Sequence, residues 1–176
     1  MTPETKAKLK KAAMWTGVGL VSVELYMAMV VRRQKRRDLF NQALDAAKNK
    51  RKKLIVVGDP DGYWVSRFTG RDFDCGDLCV DPKACPKCSA QAVGDVAQVL
   101  SQFAGNDAVI FVNTGVLERE KDITTALAQL KRVSGGDLFI STLEPYLPSA
   151  FLWPNKRRVI TAAGSNVAYK ALPWGS

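Results

Sequence analysis

Four cysteines stand close together in the chain, at Cys75, Cys79, Cys85 and Cys88. Thiolates bind soft metals and exchange with disulfides, so such a group could hold zinc or do redox chemistry. Cys85-Pro86-Lys87-Cys88 resembles half of a zinc knuckle. The other half does not fit while FDCGDLCV (73–80) reads as a strand. Cys75 and Cys79 would then lie about 13 Å apart at ~3.3 Å per residue, too far to share one tetrahedral ion without a bend at Gly76. The favoured reading is therefore free thiols, buried or in loops, with zinc at Cys85 and Cys88 the lesser alternative and no metal ligands assigned. A disulfide is not expected if the domain is cytosolic. A second group with chemical potential is Gly58-Asp59-Pro60-Asp61-Gly62, which follows the apolar run Leu54-Ile55-Val56-Val57. Glycine lets a backbone approach a ligand closely. More polar residues, Asp77, Asp81, Asp95, Asn113 and Thr114, border later apolar runs. The chain has no histidine, so no imidazole base is available. No residue is assigned a catalytic role.

Positioning these residues requires strands that end near them. LIVVG (54–58) and AVIFVNT (108–114) read as buried strands. FDCGDLCV (73–80), AVGDV (92–96) and DLFIST (137–142) read as three more. GYWVSRFTG (62–70) reads as a short helix or turn. VAQVLSQFAG (96–105) has helical spacing and a glycine stop. Asp122 is expected to cap a helix over ITTALAQLKRV (123–133), closed by Gly135 and Gly136. Pro145, Pro148 and Pro154 break the next segment. RVITAA (158–163) and VAYKAL (167–172) read as two strands joined by Gly164-Ser165-Asn166. Alternating strands and helices specify an α/β fold, with a mostly parallel sheet covered on both faces.

The N-terminal part is of a different kind. The chain has 176 residues and a net charge of +9. Residues 1–53 carry 14 basic and 4 acidic side chains, net +10, and residues 54–176 carry 12 and 13, net −1. A basic excess that sits outside the folded domain argues against a globular nucleic-acid binder, so no nucleic-acid partner is expected. Residues 12–31, AAMWTGVGLVSVELYMAMVV, hold one charge, Glu24. Twenty such residues make about 30 Å of helix, which matches the hydrocarbon thickness of a bilayer. Glu24 costs about 2.5–3.5 kcal/mol near mid-membrane; either the remaining residues are apolar enough to offset that, or Glu24 meets a partner.

Residues 1–11 form a basic N-terminal segment, 12–31 the transmembrane helix and 32–53 a basic juxtamembrane helix. The last of these has apolar Leu39, Phe40, Ala43, Leu44 and Ala47 at helical spacing, and is expected to pack on the domain that follows at 54–176. The basic collar favours a single-pass protein with its C-terminal domain in the cytosol. Residues 12–37 are expected to contact membrane lipids, with headgroups drawn to the collar.

From residue 54 the order is strand, glycine turn, helix, acidic strand end, Gly-Asp, strand and then GVLEREKDITTALAQLKRVSGGDLFIST. In that last stretch a Val-Leu-Glu precedes a helix ending in Arg-Val, a Gly-Gly turn and a strand. It resembles the class I S-adenosylmethionine-dependent methyltransferases, in particular their type 11 group, over about residues 54–143. The resemblance implies a Rossmann-like sheet that ends in an antiparallel hairpin. It also implies S-adenosyl-L-methionine as cofactor, held by Gly58, Asp59 and Gly62 after the first strand. A ribose-binding acid would be Asp77 or Asp81. Asp95, within Gly94-Asp95-Val96, would meet the adenine ring, and Asn113 would face the methyl-transfer position.

The chain departs from the family loop, acid-x-Gly-x-Gly-x-Gly. Val56 stands at the acid and Pro60 at the middle glycine. Proline removes an N–H from the cradle. Two functions follow from this. One is a membrane-anchored methyltransferase acting on a membrane-adjacent substrate, by positioning alone. The other is a catalytically inactive methyltransferase-like domain, tethered as a structural or assembly component of a large complex or a membrane-containing virion, where it meets protein partners.

Overall fold

The computed structural model describes residues 2–62, 66–143 and 157–172. Helix α1 (Pro3–Tyr26) passes through a π-helical turn (Met27–Val31) into α2 (Arg32–Lys50). Thr2 caps its start by accepting from Thr5 N–H. Among the described residues this is the one helix long and apolar enough to cross a membrane. Its 47-residue stretch Glu4–Lys50 spans about 70 Å at ~1.5 Å per residue. Met14, Trp15, Val18, Leu20, Val21, Val23, Leu25 and Tyr26 are all exposed, on every side of the rod. An apolar surface all round a helix suits a lipid solvent. Glu24 has a partner in Arg32, whose Nη2 lies 3.2 Å from Glu24 Oε2. The two sit on either side of the π turn.

Below that turn the helix becomes part of the fold. Strands β1 (Lys53–Val57), β2 (Leu78–Asp81), β3 (Gln91–Val93), β4 (Ala108–Val112) and β5 (Leu138–Ile140) form one sheet in the order β3-β2-β1-β4-β5. Every pairing in it is parallel. Parallel strands buried on both faces need continuous apolar runs, and Leu54–Val57 and Ala108–Val112 are fully enclosed. On one face α2 sets Phe40, Ala43 and Ala47 against Leu54, Val56, Val109 and Phe111. On the other face lie α4 (Val96–Leu100) and α5 (Ile123–Ser134), which pack on Ile55, Val57, Ile110 and Val112. Asp122 accepts from Thr125 N–H at 3.0 Å to start α5, and Gly135 ends it at φ 58°. A short helix, α3 (Ser66–Thr69), lies between β1 and β2.

Four elements differ from the sequence reading. The strand expected over 73–80 begins only at Leu78, because Gly76 bends the chain at φ +62°. A Cβ at Gly76 would lie 2.6 Å from the Leu54 carbonyl oxygen. The third strand stops at Val93 because Asp95 caps α4, accepting from Ala97 N–H. Helix α4 ends at Leu100, short of the expected Gly105. The hairpin β6 (Arg158–Ala163) and β7 (Asn166–Ala171) forms, but as a separate two-stranded sheet. It is held by Arg157 N–H on the Glu118 carbonyl (2.8 Å), by Arg158 Nη1 on the Glu120 carbonyl (2.6 Å) and by Ile160 in the core. The proline-broken segment with Pro145, Pro148 and Pro154, and part of the element expected over 62–70, lie outside the described residues.

Asp137 locks the end of α2 to the start of β5. Lys50 Nζ lies 2.5 Å from its Oδ1 and Lys52 Nζ 3.4 Å from its Oδ2. Partial burial pushes its carboxyl up, but the two ammonium groups outweigh this and hold it below the ordinary value. A depressed carboxyl pKa gives stability above the unfolded-state value of about 3.9, lost as pH falls through the folded value. Half of Lys50 is in solvent, so the contribution is under about 1 kcal/mol. Thermal melts should therefore show a slightly smaller loss of Tm on acidification in Asp137→Asn than in the unaltered chain.

Candidate functional site

The strand order reverses between β1 and β4, and in open α/β sheets ligands bind beyond the carboxyl ends at such a point. Gly58 leaves β1 at φ +100°, and its N–H donates to the Val80 carbonyl at 2.8 Å. The Asp59 carboxylate accepts from Asp61 N–H (2.9 Å), and the Asp59 carbonyl accepts from Gly62 N–H (3.0 Å), closing a tight turn. Pro60 is buried in that turn. From β2, Asp81 reaches across, and its two oxygens accept from Asp59 N–H (3.0 Å) and Lys83 N–H (2.8 Å). From the end of β4, Asn113 Nδ2 donates to the Asp59 carbonyl at 3.2 Å. Thr114 and Ser141 share a hydroxyl bond of 2.6 Å between the ends of β4 and β5.

Gly58, Asp59, Gly62, Asp81 and Asn113 are therefore brought together, and they bond chiefly to one another. The glycine at 58 has a packing reason. A Cβ there would lie 2.5 Å from Val116 Cγ2 and 3.0 Å from Asn113 Cβ. The close approach it permits is that of the segment after β4. Asp77 is at the opposite, amino-terminal end of β2, where its carboxylate accepts from Leu54 N–H at 2.8 Å. Val96 is the first residue of α4 and its side chain is buried in the core. Asp95 is spent as the α4 cap, accepting from Ala97 N–H at 2.9 Å. Its carboxylate also neighbours Glu120, whose own carboxyl is pushed up by burial and then by the Asp95 charge.

Arg71 is a member of this region that sequence reasoning missed. It grips Asp61 through Nε (3.0 Å) and Nη2 (2.9 Å), and that hydrogen bonding holds the Asp61 carboxyl below the usual range. Ten residues separate the two, across α3, and no local pattern reveals the pair. An open cavity of about 460 Å³ is lined by Arg51, Lys52, Lys53, Ile55, Asp77, Leu78 and Phe103. It lies at the amino ends of the strands, away from the Gly58–Gly62 turn.

The cysteines depart furthest from expectation. Cys75 and Cys88 form a disulfide, with their Cα atoms 5.6 Å apart. Cys79 and Cys85 are free, and all four are buried in one cluster. Burial pushes the thiols of Cys79 and Cys85 up. The bend at Gly76 removes the extended geometry that had kept Cys75 and Cys79 apart.

No protein-family model matches this chain, and neither a curated protein nor a solved structure matches it significantly.

Proposed function

We propose that this protein is a membrane-tethered structural domain, methyltransferase-like in its sheet and loop order and catalytically silent, which presents its α/β body to protein partners at a membrane surface. One observation carries this reading. The glycine that a cofactor backbone contact would require, Gly58, is closed over by Val116 and Asn113 of the same chain. Two further contacts support it. Both oxygens of Asp81, the acid placed where ribose hydroxyls would bind, already accept backbone N–H groups. Helix α2, which continues the apolar rod, is one of the layers over the sheet, so the body stands at a fixed distance from the membrane.

The rod crosses the bilayer once and leaves the domain on the cytosolic side, where the Cys75–Cys88 pair would stand reduced. Arg32, Arg33, Lys35, Arg36 and Arg37 follow the apolar run, and that charge resists translocation. Lipid contacts fall along residues 12–37, with chains around Trp15, Val18 and Val21 and anionic headgroups near Lys35 and Arg37.

Titration calorimetry of the full chain in detergent micelles with S-adenosylhomocysteine tests the proposal. The expected result is a Kd weaker than about 1 mM, equivalent to about −4.1 kcal/mol. A micromolar Kd would overturn it and restore methyl transfer to a membrane-adjacent acceptor as the function.

A further inference from the structure

We propose that Cys75, Cys79, Cys85 and Cys88 form a tetrahedral structural zinc site when the Cys75–Cys88 disulfide is reduced. The Sγ atoms of Cys79, Cys85 and Cys88 all lie within 4.8 Å of one another, and the fourth sulfur, Cys75 Sγ, is bonded to that of Cys88. A tetrahedral tetrathiolate with Zn–S of about 2.3 Å needs sulfurs about 3.8 Å apart. Three of the sulfurs are therefore within a small contraction of ligation geometry, and the fourth, on Cys75, is already bonded to one of them. The spacing is also that of zinc ligands, with three residues between the first pair and two between the second. A set of four buried sulfurs with no oxygen or nitrogen ligand selects zinc, or else an iron–sulfur centre.

The surrounding fold gives the site its purpose. Successive parallel strands usually need a crossover helix, yet Pro82–Ala90 joins β2 to β3 without one. Cys79 pairs in register with Val56, whose side chain lies on the face covered by α2. Helix α2 packs over β1, β4 and β5 and leaves that face of β2 to the cysteine cluster. The cluster stands where a crossover helix would otherwise lie. Its turn is already formed, since Cys88 N–H donates to the Cys85 carbonyl at 2.9 Å across Pro86-Lys87, and Cys85 N–H donates to Gln91 Oε1 at 2.7 Å. A zinc tetrathiolate carries two negative charges. Arg71, with Nη1 3.6 Å from Cys75 Sγ, is placed to offset them.

The chemistry balances with a low-molecular-weight thiol as reductant. Two such thiols reduce the Cys75–Cys88 bond and leave as their own disulfide, giving two cysteine thiols. The four thiols then bind one Zn²⁺ and release four protons.

The test uses the full chain in detergent, reduced by a phosphine, with zinc or cobalt added. We expect one zinc per chain, four thiols shielded from a thiol reagent until a chelator is added, and the ligand-field bands of tetrathiolate cobalt. Cys79→Ser and Cys85→Ser should each weaken zinc binding at least tenfold, as should Cys75→Ser and Cys88→Ser. A reduced wild-type chain that retains no zinc overturns the proposal, as does a cobalt spectrum of fewer than four thiolates or an iron–sulfur chromophore. Equally decisive against it would be variants at Cys79 and Cys85 that bind zinc as tightly as the unaltered chain.

Discussion

Asp72→Asn should destabilise the protein by about 3–5 kcal/mol, because it leaves two arginines of α2 facing a neutral amide. Arg36 is 1% exposed, and both its Nε (3.0 Å) and its Nη2 donate to Asp72 Oδ2. Arg33 Nε donates to Oδ1 of the same carboxylate. Asp72 sits in the segment between α3 and β2, so this triad joins the long N-terminal helix to the sheet domain. At roughly 2–4 °C per kcal/mol for a chain of this size, the melting temperature should fall by on the order of 10 °C. Asp74→Asn, two residues on and exposed, is the control and should stay within about 0.5 kcal/mol of the parent. Equal melting temperatures for the two variants would show that the buried triad contributes nothing.

Phe111→Ala should cost a similar amount, about 3–5 kcal/mol for a large ring deleted from a packed core. Phe111 is the fourth residue of β4, an interior strand of the sheet, and is fully buried. Its ring meets Phe40 of α2 edge-on, with centroids 5.6 Å apart, and Phe73 at 4.9 Å. Each aromatic contact of this kind adds about 0.5–1.5 kcal/mol beyond area burial. Denaturant titration in micelles measures the loss. A cost below about 1 kcal/mol would mean that α2 does not rest on the sheet through this cluster.

The parts legible in the sequence are those set by local pattern. The apolar runs at 54–57 and 108–112 announce strands buried on both faces, and the Asp122 cap and Gly135 stop delimit α5. The late hairpin follows from its Gly-Ser-Asn turn, but its separation from the main sheet does not. The parts that stayed hidden depend on contacts between distant residues. Gly76 is one glycine among 13 in the sequence until the Leu54 carbonyl is seen against it. Asp77 immediately precedes the short strand β2 and Asp81 ends it, and only the strand's direction in the sheet shows that they serve opposite ends. Gly58 reads equally well as a ligand contact or as a packing glycine until Val116 is placed on it. Convergence of four cysteines needed both the Gly76 bend and the β2–β3 pairing.

Hydrogen exchange of the full chain in lipid nanodiscs tests most directly whether anchor and domain are one body. If α2 is a layer of the fold, the amides of residues 40–50 should open only with the sheet, at the same free energy as those of β1 and β4. Asp72→Asn should then speed exchange in α2, β1 and β4 together. Exchange in residues 40–50 about a hundredfold faster than in β4, in the unaltered chain, would contradict the account. The apolar rod would then be a hinged leash, and the domain would stand at no fixed distance from the membrane.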